Sequence, residues 1–138
     1  MNARVIELSF PAHSRYLVLA RLSIAGIAPV ARLSDDVLAD LKLAVTEACA
    51  NAVRHAYTED EEGAVRLRLT LDTSSLTIEV ADDGRGIESS ASLPPAASGL
   101  PEAGMGLSII RAVVDEVEIE SPPAGGTVVR FTKLLSAV

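Results

Sequence analysis

Three short segments constrain this chain more than any other feature: EACANAVRHAY at residues 47–57, DDGRGI at residues 82–87 and GMGLS at residues 104–108. The first closes a long helical pattern, the second follows a strand pattern directly, and the third opens another helical pattern. Singly each is weak. Their order, a Glu and an Asn one helical turn apart, then Asp-x-Gly-x-Gly after a strand, then Gly-x-Gly at a helix start, is specific.

The periodicities place these segments in one domain spanning residues 1–138, a length sufficient for a real core. Residues 4–10 alternate with period two, Arg4, Ile6, Leu8 and Phe10 against Val5, Glu7 and Ser9, and read as a half-buried strand. From Ala12 to about Ala28, Tyr16, Leu17, Leu19, Ala20, Ile24 and Ile27 recur at helical spacing, with Arg15 and Arg21 outside the apolar stripe; Pro29 is expected to interrupt. Ser34 is a good N-cap for a second helix over residues 36–57, with Asp35 and Asp36 favouring its start. Val65, Leu67, Leu69 and Leu71 alternate with polar neighbours, and after a tight turn residues 76–81 repeat the pattern and run into Asp82, so the two form a hairpin. Residues 106–114 return to helical spacing. Residues 117–120 and 127–134 read as a closing strand pair around Pro122-Pro123 and Gly125-Gly126. The expected fold is α/β in the sense of an α+β two-layer sandwich: a mixed, mostly antiparallel sheet with helices on one face.

Residues 88–103 hold three prolines and four serines without periodicity. Loops of this length inside a domain are usually lids or disordered segments, and this one is expected to be a lid.

The charge balance narrows the function. Lys plus Arg number 12 against 19 Asp plus Glu, a net charge of −7, so the attraction that drives phosphate-backbone binding is missing. Aromatics are 3% with no Trp, which removes the stacking platforms of single-strand binders. No direct nucleic-acid partner is expected. The single Cys49 excludes an internal disulfide or a multi-cysteine metal site and reads as a small buried residue. No apolar run approaches the ~20 residues of a membrane span and the N-terminus lacks a signal-peptide layout, so no membrane association and a cytoplasmic location are expected.

On the second helix Leu38, Leu41, Val45, Ala48, Ala52 and Ala56 share one face, while Glu47, Asn51 and His55 share another. A carboxylate and a carboxamide stacked in this way supply a proton acceptor and a neutral oxygen ligand, suited to activating a hydroxyl beside a phosphate-bound Mg²⁺. The same pattern also fits a solvated helix face. Glycines after Asp82 let the backbone approach a ligand closely, and an ionised Asp at a strand end accepts from an exocyclic amine such as adenine's; a plain Asp-Gly turn is the alternative. The Gly-x-Gly at Gly104 and Gly106 leads into a helix N-terminus whose free N–H groups and dipole suit phosphate. It is neither a Walker loop nor a Rossmann fingerprint.

Together the segments resemble the N, G1 and G2 boxes of the Bergerat-fold (GHKL) ATPases, the superfamily of gyrase, histidine kinases and MutL. EACANAVRHAY, the length and the closing GGTVVRF are most similar to the anti-sigma factor serine kinases. That resemblance implies an ATP- and Mg²⁺-dependent serine/threonine kinase in a partner-switching system, which binds a sigma factor and phosphorylates an anti-anti-sigma (STAS-type) protein, and it implies a homodimer. It assigns Glu47 as the general base, Asn51 as the Mg²⁺ holder, Asp82 to the adenine amine, and Gly84, Gly86 and Ile87 to the base. Gly104, Met105, Gly106, Leu107 and Ser108 would lie along the phosphates, Thr127 near the adenine, and Arg21 against the protein partner.

One departure stands out. Family kinases can carry a basic residue before the G2 glycines and a Lys-containing lid, whereas residues 88–103 hold no Lys or Arg and Glu102 stands near the basic position. A cation at the γ-phosphate is worth several orders of magnitude, so strong ATP binding with slow transfer is expected unless Arg85, Arg111 or a partner supplies the charge. A non-catalytic, ATP-responsive protein-binding switch is therefore the alternative. A split histidine kinase is a further one, disfavoured because the first strand starts too close to Met1 for a phosphoacceptor hairpin. His55 is read as packing or capping.

Overall fold

Period-two alternation places Leu67, Leu69, Ile78 and Val80 on the same side of neighbouring strands, and burying that side is what organises the molecule. The computed structural model describes residues 3–56, 63–82, 108–123 and 125–135. Five strands, β1 (Arg4–Pro11), β2 (Ala64–Leu71), β3 (Ser75–Asp82), β4 (Glu116–Glu120) and β5 (Thr127–Leu134), form one sheet in the order β1-β2-β3-β5-β4. Every pairing among them is antiparallel. The mixed character expected from the sequence is thus not expressed as a parallel pair: β3 and β4 run the same way, but β5 inserts between them.

Two helices, α1 (Leu17–Ala31) and α2 (Asp35–Ala56), pack on each other, and α2 lies on β2, β3 and β5. They cover one face. Phe10, Ile24, Leu41, Val45, Leu67, Ile78, Val80 and Phe131 form the centre of a continuous core, to which Ile110 and Val114 contribute from the short helix at residues 108–113 and just beyond it. Each large side chain buried there contributes about 1.5–3 kcal/mol.

Local signals set the element ends. Ser34 Oγ accepts from the Val37 N–H at 3.2 Å, the N-cap bond expected of it. The β2–β3 turn closes with Asp72 N donating to Ser75 O at 2.9 Å. Gly125 and Gly126 take φ of 105° and 85° in the β4–β5 turn, which favours glycine at both positions. Two expectations need correction. Pro29 does not interrupt α1, which continues to Ala31 and ends where Arg32 adopts φ 56°. A proline in the last turn forfeits a single helical hydrogen bond and has little helix beyond it to kink. Ser14–Ala31 also reaches 18 residues at a mean hydropathy of 1.2, the scale of a short membrane span. Ala20, Ile24, Ile27 and Ala31 of this stretch are built into the domain core, while Val18, Leu22 and Val30 are exposed.

The face of the sheet opposite the helices carries a ladder of ion pairs. Arg68 on β2 meets Glu7 on β1 at 3.3 Å and Glu79 on β3 at 3.9 Å. Arg130 on β5 meets Glu79 at 3.2 Å, Glu118 at 3.2 Å and Glu120 at 3.1 Å, so the chain of charges crosses all five strands. The hydrogen bonds that Arg130 donates to Glu120 and then to Glu79 hold its guanidinium above its ordinary pKa, against the opposing effect of burial.

Candidate functional site

α2 turns Leu41, Ala44, Val45, Ala48, Cys49 and Ala52 into the core, which leaves Glu47 and Asn51, one turn apart, half-buried at the margin of the buried stripe. A solvated face would leave both side chains open. Asn51 Oδ1 accepts a hydrogen bond from Arg54 Nη2 at 2.7 Å, one turn further along the same stripe. Cys49 points the other way, and burial pushes its thiol from 9.0 to about 12, so it takes no part in site chemistry.

Below α2, β3 ends in Asp82, 7% exposed and the single buried charged residue among those described. Its register partners are Val65 on β2 and Thr127, the first residue of β5. Asp82 and Thr127 therefore sit side by side on the helix-covered face of the sheet. No buried side-chain polar atom among the described residues lacks a hydrogen-bond partner.

Ser108 is exposed at the start of the helix over residues 108–113, and Arg21 is exposed on α1. Gly84, Gly86, Ile87, Gly104, Met105, Gly106 and Leu107, the lid at residues 88–103 and the His55 side chain lie outside the described residues. Arg54 joins the site although the sequence motifs do not single it out. Its signal is the spacing, since Glu47, Asn51 and Arg54 stand at i, i+4 and i+7.

No cluster of three or more His, Cys, Asp or Glu residues poised for a metal occurs among the described residues. Mg²⁺ needs none here: it binds through one or two protein oxygens and completes its shell with phosphates and water. The hard neutral oxygen of Asn51, with the Glu47 carboxylate one turn away, fits that requirement.

A sequence profile for the histidine kinase-like ATPase domain matches residues 10–133. The chain belongs to this family. Among curated members, the serine-protein kinase RsbW of Bacillus subtilis strain 168 is 36% identical over 143 residues, covering 98% of this chain and 88% of the relative. An anti-sigma F factor of Caldanaerobacter subterraneus subsp. tengcongensis is 38% identical over 135 residues, covering 95% and 94%. A Mycobacterium tuberculosis crystal structure of RsbU and RsbW domains superposes with a TM-score of 0.70 at 22% identity, over 95% of this chain and 32% of that one. The histidine kinase domain of a blue-light activated kinase from Erythrobacter litoralis gives 0.57 at 23% identity, over 91% and 62%. These last two share the fold of the histidine kinase-like ATPase domain.

Proposed function

We propose that the chain is an anti-sigma factor that binds Mg-ATP, phosphorylates a serine of a STAS-type anti-anti-sigma protein, and holds a sigma factor when that partner is unavailable. The observation that carries this reading is the placement of Glu47 and Asn51 on the margin of α2, over a sheet in which Asp82 stands beside Thr127. The relatives' names, serine-protein kinase and anti-sigma F factor, point the same way.

Bound Mg-ATP supplies the phosphoryl group and the charge neutralisation that transfer requires. Asn51 would hold the metal. Glu47 would take the proton from the incoming serine hydroxyl, a role worth about 10²–10⁴ in rate. Asp82, an acceptor when ionised, would select adenine through its amine with Thr127 alongside, and Ser108 would meet phosphate at the start of its helix. Gly84, Gly86, Ile87, Gly104, Met105, Gly106 and Leu107 would complete the nucleotide's surroundings. Arg21, exposed beside the exposed Val18 and Leu22 on α1, offers a cation and apolar contact area to a protein partner. β1 forms one edge of the sheet with Val5 and Ile6 exposed, an edge suited to a second copy in a homodimer. A sigma-binding role places the protein in the cytoplasm.

The lid without Lys or Arg favours a second reading, a switch for which ATP is only a conformational ligand. Incubation with γ-labelled ATP, Mg²⁺ and a STAS-type protein separates the two. Acid-stable label on a partner serine is the expected result. Nucleotide binding with no transfer would establish the switch, acid-labile label on a histidine would indicate a histidine kinase half, and absence of nucleotide binding would defeat all three.

A further inference from the structure

We infer that Leu43 seats the serine-bearing segment of the substrate protein, and that this segment carries an apolar side chain within about two residues of the serine. The inference rests on the kinase reading proposed above and deepens it, naming what the acceptor must present besides its hydroxyl.

Leu43, Glu47 and Asn51 stand at i, i+4 and i+8 on α2, each one turn from the next. With the metal and the triphosphate at Asn51 and the proton acceptor at Glu47, the incoming hydroxyl approaches from the Glu47 side, because attacking and leaving oxygens lie roughly in line across the phosphorus. The next turn in that direction carries Leu43. A turn rises about 5.4 Å and neighbouring Cα atoms lie about 3.8 Å apart, so a residue one or two places from the serine reaches Leu43 when the serine reaches Glu47.

The fold itself makes little use of Leu43. It is 44% exposed and belongs neither to the core nor to the half-buried side chains packed against it. The other large apolar side chains on α2 are buried or half-buried. Asp36 and Asp40 follow on the same stripe, so the apolar footprint is one side chain wide and matches one apolar residue rather than a long hydrophobic segment. Other exposed apolar side chains stand on other elements: Val18, Leu22 and Val30 on α1, Val5 and Ile6 on β1, and Leu134 on β5.

Steady-state phosphorylation of a STAS-type protein at saturating Mg-ATP tests this, using wild type, Leu43→Gln, Leu43→Met and the control Leu134→Gln. Leu43→Gln is expected to raise KM for the STAS-type protein about tenfold while kcat stays within about twofold, because an apolar contact beside the reacting serine is made equally in ground and transition states. Calorimetric affinity for Mg-ATP is unchanged, Leu43→Met recovers most of the loss, and Leu134→Gln matches wild type. Melting curves of the Leu43 variants coincide with wild type, since one good helix former replaces another at an exposed site. Changing the apolar residue nearest the phosphorylated serine to Gln in the STAS-type protein raises KM by the same factor, and combining it with Leu43→Gln raises KM no further. An unchanged KM in Leu43→Gln, an equal rise in Leu134→Gln, a fall in kcat alone, or additive effects of the two partners' changes overturns the inference while leaving the kinase reading standing. Wild-type protein that labels no serine overturns the reading beneath it as well.

Discussion

Cys49 is a built-in probe of the helix that carries the candidate site. It lies between Glu47 and Asn51 on α2, is fully buried, and has a thiol pushed from 9.0 to about 12 by loss of solvent. Only the thiolate attacks an aromatic disulfide reagent. At about pH 8 the shift lowers the native thiolate fraction about a thousandfold relative to the unfolded chain, before steric closure is counted. Labelling of the native protein must therefore proceed through opening of α2, and its rate reads the opening equilibrium. A nucleotide bound only by the closed state suppresses that opening by the factor 1 + [L]/Kd, so Mg-ATP at a hundred times its Kd slows labelling about a hundredfold. The assay is absorbance-followed thiol modification without denaturant, with and without Mg-ATP. Modification at the unfolded-chain rate, or a rate unmoved by nucleotide that calorimetry shows to be bound, would refute the reasoning. A pH dependence follows from the same shift. Because the folded-state value is the higher one, this contribution to stability is fully present below pH 9.0 and is lost progressively toward pH 12. The unfolding free energy of wild type should fall above pH 9 with a limiting slope of about 1.4 kcal/mol per pH unit that Cys49→Val lacks.

Asn51→Ala should abolish Mg-ATP binding, whereas Glu47→Ala should retain it and lose transfer by about 10²–10⁴; equal loss of binding in calorimetry would contradict the two roles. Arg130→Met should destabilise the domain by about 0.5–1 kcal/mol, since it leaves Glu79, Glu118 and Glu120 facing one another on a partly exposed surface. The deficit in urea unfolding should shrink in high salt, and a salt-independent deficit would assign it to lost packing instead. Arg21→Glu should weaken partner capture in pull-down while leaving nucleotide affinity unchanged, because Arg21 is exposed on α1 and apart from the α2 stripe.

The Glu47–Asn51 stripe is legible in the sequence because both residues lie on one helix, where spacing alone dictates which side chains share a face. The same local logic makes the N-cap at Ser34, the β2–β3 hairpin and β5 at residues 127–134 legible. Pro29 is a misleading signal, because a proline's cost depends on how much helix follows it. Arg54 is a harder case, with its spacing visible and its role not. A cation on a helix surface has many uses, and only the structure shows that this one bonds Asn51 at 2.7 Å.

Taken alone, the chain's periodicities determine which segments are strands and helices and which face of each is buried, since these depend on neighbours a few residues away. Strand order is a different matter. That β5 inserts between β3 and β4, that Thr127 comes to stand opposite Asp82, and that Glu7, Arg68, Glu79, Arg130, Glu118 and Glu120 join into one ladder depend on residues far apart in the chain. Such contacts form only once the shared core has closed, when burying one face of the sheet selects a single register and carries every residue on the other face into place.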